Sequence, residues 1–396
     1  MTRPPRQAES YDEIKPLLKL CRSGRLFDVQ AWIDDGKPVN PPPPPEKKAR
    51  KKSPLQVAID VGFHSLVQVL LEAGAAIADG SFNALEQALF KRRLDLIQLL
   101  VAHGADIHSV DILTVFETWD PAIMEFFIEQ GADVETDYPL AGALCWRIRT
   151  ALGVCKRHKE RFPSFKDQLN VALRHHCRDG NLKWVSLLLW AGADPYAKGP
   201  ESPYEDSDPE ESLCALEYAA IYKHFDIFKL KQIRVSPDHP IAAELLRSAC
   251  WAEDAGFLVE LLEKGFNPAD QNDGGSSLIQ QCIQCLPWGS DYGWLGRGRE
   301  TDIDSSRSRE TLKMIHILAK HGAKWAPEGL YEFNDARRAL LRMTSDYTVE
   351  LVWIMSKYNS CSRASLEQLL KTPTIRKHVA EKLPRINELL NEFPPD

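Results

Sequence analysis

Apolar residues recur along this chain at helical spacing, in short runs that each end at a glycine. The clearest run is Leu187-Leu188-Leu189-Trp190-Ala191-Gly192-Ala193-Asp194-Pro195. Its leucines favour helix and turn one face inward. Gly192 falls where a helix closes in the left-handed conformation, and Pro195 cannot continue one. Residues 70–75, 99–106 and 127–133 repeat the phrase, and residues 33–36, 261–265 and 318–323 carry weaker copies. Seven copies in one chain mark a repeat architecture.

The stops have a fixed relation to what precedes them. Twelve residues separate Gly24 from Gly36, Gly62 from Gly74, and Gly180 from Gly192. Arg92 and Trp119 stand twelve residues before Gly104 and Gly131, in the place of the first glycine. The spacing predicts two short amphipathic helices per unit, joined by a turn. Residues 53–77, SPLQVAIDVGFHSLVQVLLEAGAAI, are the fullest example. Ser53 can accept a backbone N–H as helix cap, and Pro54 suits the first helical position, where no N–H partner is needed. Other units open on Asn83-Ala84-Leu85, Ala215-Leu216-Glu217 or Ser277-Leu278-Ile279.

This layout resembles the ankyrin-repeat family: a Thr-Pro-Leu-His-like start, paired small residues, a turn glycine, an apolar second helix and Gly-Ala-Asp. The resemblance spans residues 13–325 in roughly eight units. It implies an all-α ankyrin-repeat helical solenoid of about eight to nine helix pairs, with long finger and insert loops.

Irregular spacing divides the chain. Gly104 to Gly131 is 27 residues, Gly131 to Gly192 is 61, and Gly192 to Gly265 is 73, against about 33 for the family repeat. We expect a polar lead-in over residues 1–12 and N-terminal repeats over 13–138, broken by a Pro-rich, basic arm at 41–52. An inserted helix at 140–158 and a fifth repeat fill 139–196. Divergent repeats run over 197–325, with an acidic loop at 197–212 and a Trp/Gly/Arg insert at 286–308. A helical cap closes 326–396. The sixth unit, around residues 215–233, lacks its own Gly-Ala-Asp and ends near Ile233, where the stack should bend or loosen.

Composition narrows the functional classes. Over 396 residues the net charge is −7, which argues against a dedicated nucleic-acid binder. No apolar run reaches membrane-spanning length, and the N-terminus lacks the apolar core of a secretory signal. A cytoplasmic setting is the expectation, or a nuclear one if residues 47–52 act as an import signal. The nine cysteines, an odd number, then read as thiols.

The candidate chemistry is thin. Cys21, Cys177, Cys250 and Cys282 occupy one register of the first helices, the slot of a small core residue. Cys282 and Cys285 spell CxxC, but no second pair supplies zinc's four ligands. His175 and His176 are adjacent on a helix and point apart; His176 should pack at a layer boundary. The glycines around Trp294 match no phosphate-binding fingerprint and follow no strand. No spacing of nucleophile, base and acid is present, and neither a cofactor nor a metal is implied; an enzymatic site in the irregular residues 286–396 is the weakest alternative.

The family resemblance implies a protein partner on the concave side, at the ends of the first helices. The residues before each turn are the candidates: Arg22, Asp60, Phe90, Lys91, Glu117 with Thr118, Arg178, Asp179, Tyr222 and Trp251. Trp288, Trp294 and Arg297 in the insert join them, because aromatic and arginine side chains anchor interfaces. The leading expectation is a non-enzymatic scaffold or adaptor, monomeric on its own. The alternative is nucleic-acid contact through residues 47–52, 156–161 and 297–299.

Overall fold

A computed structural model of the chain describes residues 7–43, 51–79, 82–204, 212–269, 277–284, 305–327 and 330–393. Lys47, Lys48, Arg50, residues 205–211 of the acidic loop, Cys285, Trp288, Tyr292, Trp294, Arg297 and Arg299 lie outside the described residues. The chain divides into two compact units.

The first unit comprises residues 1–175, 187–194 and 200–209. Its helices come in pairs: α1 (Tyr11–Arg22) with α2 (Leu26–Asp34), α3 (Pro54–Val61) with α4 (His64–Glu72), and α5 (Ala84–Phe90) with α6 (Leu94–Ala102). Then follow α7 (Ile112–Phe116) with α8 (Pro121–Glu129), and α9 (Pro139–Cys145) with α10 (Arg149–Arg157). First helices pack on first helices (α1 on α3, α3 on α5, α7 on α9), and second helices on second (α2 on α4, α4 on α6, α8 on α10). Leu66, Leu70, Leu96, Leu100 and Phe127 are fully buried between them. Burying each such side chain contributes about 1.5–3 kcal/mol.

Local chemistry starts these helices where they start. Ser53 Oγ accepts from Gln56 N at 3.1 Å, and Asn83, Asp111 and Asp120 accept likewise from the backbone at the starts of α5, α7 and α8. Proline takes the first turn of α3, α8 and α9, where it removes no helical hydrogen bond. Each pair turns at a residue of positive φ: Gly24, Gly62, Arg92, Trp119 and Arg147.

The turn at Arg147 corrects the expectation for residues 140–158. They form a further helix pair in the stack, not a single inserted helix. The sequence conceals the pair because its turn has no glycine and α10 runs into a short 3-10 helix, Lys159–Arg161, instead of Gly-Ala-Asp. Two other features carry no sequence pattern. β1 (Ala78–Asp79) and β2 (Phe82–Asn83) form a small antiparallel finger, with Ala78 opposite Asn83. The lead-in is not merely polar: Ala8 is buried and its N–H donates to Asn40 O at 3.0 Å.

Side-chain amides lock neighbouring pairs together. Asn40 donates to Gly74 O at 2.9 Å and accepts from Ala76 N at 2.8 Å. Buried Gln168 donates to Val134 O at 2.7 Å and accepts from Leu140 N at 2.8 Å, fixing the start of α9. A buried amide is tolerated only when both its ends are satisfied, and these are.

The second unit comprises residues 176–186, 195–199 and 210–396. α11 (Phe165–Arg178) and α12 (Leu182–Ala191), joined at Gly180, contribute residues to both units. α13 (Ala215–Ile221) follows, then α14 (Ala242–Ala252) with α15 (Ala255–Glu263), α16 (Leu278–Gln284) with α17 (Ser305–Lys320), and α18 (Leu330–Arg342) with α19 (Ser345–Lys357). α20 (Arg363–Lys371), α21 (Pro373–His378) and α22 (Leu383–Asn391) end the described chain. α14, α16, α18 and α20 pack in succession, and so do α15, α17 and α19.

The pair begun by α13 is stunted. In place of a second α-helix it has a 3-10 helix of five residues, Phe225–Lys229. This is the unit whose sequence never reaches Gly-Ala-Asp. The 3-10 segment is still held in the core: Ile227 is fully buried and Phe225 stacks on Phe257 at 4.3 Å.

Candidate protein-binding groove

Among the described residues, the C-terminal ends of the first helices carry most of the exposed large apolar side chains. In the first unit these are Val61, Phe90, Trp119 and Trp146; in the second they are Ile221, Tyr222 and Trp251. Each lies on the positive-φ turn residue or within two residues before it. Scattered exposed apolar residues are ordinary, but exposure at one turn after another, from pair to pair, is a repeated feature. Phe90 is 85% exposed.

Beside these turns in the first unit, α3, α5 and α7 enclose an open groove of about 600 Å³. Its lining includes Gln56, Asp60, Phe82, Glu86, Phe90, Lys91, Arg92 and Glu117. Asp60 is the electrostatic centre. Lys52 Nζ approaches it at 2.7 Å and Lys91 Nζ at 3.4 Å, and Gln87 Nε2 donates to it at 2.8 Å. Partial burial pushes the Asp60 carboxyl up, but the hydrogen bonds from Lys52, Gln87 and Lys91 outweigh it and hold the group below the usual carboxylate range. The groove therefore combines a paired carboxylate at its floor with Phe90, Glu86 and Glu117 exposed at its edge.

Five of the sequence candidates come together here: Asp60, Phe90, Lys91, Glu117 and Thr118. Arg22 is exposed at the end of α1 and does not line the groove. Arg178 Nε lies 3.4 Å from Asp179 Oδ1 at the end of α11. Tyr222 and Trp251 are exposed at the ends of α13 and α14 in the second unit. Thr118 also lines the groove but offers little surface, being largely buried with its hydroxyl donating to Val115 O at 2.7 Å.

Sequence reasoning passed over Trp119 and Trp146. Trp119 took a glycine's place in the twelve-residue step, a signal that the position displays a side chain at some cost. Trp146 was hidden within a stretch read as one helix.

The other candidate chemistry is absorbed by packing. Cys21, Cys177, Cys250 and Cys282 are buried. Burial pushes the Cys21 thiol up to about 12 and raises Cys177 as well, the opposite of an activated nucleophile. His176 is buried and stacks on Trp184 at 5.1 Å. Among the described residues no group of three or more His, Cys, Asp or Glu side chains could hold a metal, and no helix is long and apolar enough to cross a membrane.

The paired helices, left-handed turns and stacked layers are those of ankyrin repeats, in an all-α array with finger loops. No model of a known protein family matches the chain. A curated relative, the ankyrin repeat and KH domain-containing protein mask-1 of Caenorhabditis elegans, is 26% identical over 156 residues. The match covers 37% of this chain and 6% of that protein, so the chain spans only a small fraction of its relative's length. Among solved structures, the human ASB11 ankyrin repeat domain aligns at 18% identity over 59% of this chain and 97% of that one, with a TM-score of 0.37. The ankyrin repeat domain of Bcl-3, a member of the IkappaB protein family, aligns at 17% identity over 68% and 94%, with a TM-score of 0.32.

Proposed function

We propose that this chain is a non-enzymatic ankyrin-repeat scaffold that binds a protein partner along the ends of its first helices, as an adaptor or subunit of a multi-protein complex. One observation carries this: Phe90, Trp119 and Trp146 are held exposed at three successive turns, beside a groove lined by Asp60, Lys91 and Glu117. Rigid aromatic anchors flanked by mixed charge suit a protein surface, and a pre-ordered stack lowers the entropy cost of docking. Arg22, Arg178, Asp179, Tyr222 and Trp251 extend the candidate surface, and Trp288, Trp294 and Arg297 remain candidates on sequence grounds.

Nucleic-acid contact is the lesser reading, since most of the described basic residues it needs are engaged within the chain. Lys52 pairs with Asp60, and Lys51 and Lys156 lie over the rings of Tyr11 and Trp190. Arg157 and His158 both contact Glu125.

The test is quantitative affinity capture with the full chain and with a Phe90→Ala, Lys91→Ala, Trp119→Ala variant. The captured partner should bind the variant roughly tenfold or more weakly, as expected for loss of anchors, with melting unchanged. Equal capture by both proteins would remove the groove as the site.

A further inference from the structure

The chain's own Tyr204 sits on the first-helix face next to the groove. Five residues before the turns at Arg92 and Trp119 stand Gln87 and Thr114, both groove-lining; five before the turn at Arg147 stands Gly142. A Cβ at Gly142 would lie 2.7 Å from the Tyr204 hydroxyl oxygen, and the same spot is 3.6 Å from Leu113 Cδ1. The absence of a side chain on α9 is therefore what admits the phenol. The segment is also tied down behind the ring: Arg174 Nε donates to Pro200 O at 2.6 Å, and Tyr204 N donates to Ser202 Oγ at 3.3 Å. Residues 200–204 thus form a strap whose phenol is set against α9, and α9 is buried almost throughout.

We propose that Tyr204 is a phosphorylation site and that its modification lifts the strap from α9, uncovering the stretch of first-helix face beyond the groove. What the uncovered face receives rests on the protein-binding reading above; the strap's release does not.

Three properties support this. Tyr204 is 61% exposed, in a proline-containing segment that a kinase cleft can reach. The flanking sequence is strongly acidic, with Glu201 before it and Glu205, Asp206 and Asp208 after it. The seat itself rejects a phosphate. The hydroxyl lies where a side chain on residue 142 would stand, so a phosphate on it would be set against α9. Asp111, Glu117 and Asp137 lie close enough that, after partial burial, their charges help raise the phenol above its ordinary value. A dianion placed there would meet like charge on several sides. In the transfer, the Tyr204 oxygen forms a bond to the γ-phosphorus of a nucleoside triphosphate. The bond from that phosphorus to the bridging oxygen breaks, the diphosphate leaves, and the phenolic proton passes to the kinase's base.

Cys145 gives a readout independent of any partner. It ends α9 three residues after Gly142 and is half-buried, whereas the other described cysteines are buried. The experiment labels the full chain with a soluble maleimide and follows Cys145 by peptide mass spectrometry, before and after treatment with a tyrosine kinase domain and Mg-ATP. Phosphorylation should map to Tyr204 and speed Cys145 labelling roughly tenfold, as the strap leaves the helix that this thiol ends. Tyr204→Ala should reach a similar rate without kinase, and Tyr204→Phe should stay slow with it. The proposal is overturned if Tyr204 stays unmodified while a peptide of residues 196–212 is phosphorylated. It is overturned equally if Tyr204→Ala leaves labelling unchanged, or if phosphorylation slows labelling because a seated phosphate suppresses the thiolate. Partner binding is measured separately. Failure of both forms to bind would remove the scaffold reading and leave the strap's release standing.

Discussion

The turn at Trp119 and the turn at Gly180 have the same backbone hand, with φ of +59° and +68°, yet they serve opposite ends. At Gly180 the space a side chain would occupy is taken by the ring of His224. That ring's Nε2 donates to Arg178 O at 2.9 Å. The turn is a joint, closed by the next pair. At Trp119 the residue keeps a large side chain in a conformation that costs a non-glycine residue about 1–2 kcal/mol, and half of that side chain faces solvent. Where neighbouring structure closes over the turn, glycine is required. Where the turn is displayed, the fold tolerates strain to present an indole.

This contrast can be broken at several strengths. The largest effect should come from Leu188→Ala in α12, the helix that leaves the Gly180 joint. Leu188 is fully buried, and the substitution should destabilise by about 2–5 kcal/mol in denaturant titration. A value near zero would mean that α12 is not packed as described. Next, Gly180→Ala should cost about 2–3 kcal/mol, combining left-handed strain with displacement of the His224 ring. Gly131→Ala should cost only the strain, about 1–2 kcal/mol, because no atom lies within 4 Å of its added Cβ. Equal melting shifts for the two would show that His224 does not close the joint. The smallest effect, and of opposite sign, should come from Trp119→Gly. Relief of strain should slightly exceed the added freedom of the unfolded chain, giving a gain of up to about 1 kcal/mol. The same change should weaken partner capture. A Trp119→Gly protein that melts earlier would show that the indole is packed rather than displayed.

Much of this was legible in the sequence because helical period and stop glycines are local signals. The steps from Gly24 to Gly36 and from Gly62 to Gly74 fix two helix pairs without any long-range information, and the buried slot of Cys21 and Cys177 follows from that register. The misses share a cause. Arg147 closes a left-handed turn without announcing it, so α9 and α10 looked like one helix. Two-residue strands are too short to show alternation, so the finger at Ala78 and Asn83 had no pattern to read. Of the groove, Asp60, Phe90, Lys91 and Glu117 could be named from their place before the turns. The pairing of Lys52 with Asp60 and the seating of Tyr204 on Gly142 join residues distant in the chain, and no periodicity encodes them.

The 3-10 segment Phe225–Lys229 has a consequence for how disorder would travel. In a linear array each layer is coupled only to its neighbours, so cooperativity is limited by the weakest coupling along the line. Five residues with poorer hydrogen-bond geometry than an α-helix make such a point inside the second unit. Hydrogen exchange should therefore fall into separate cooperative steps on the two sides of this segment, and a single step shared by both would show that the coupling runs through it.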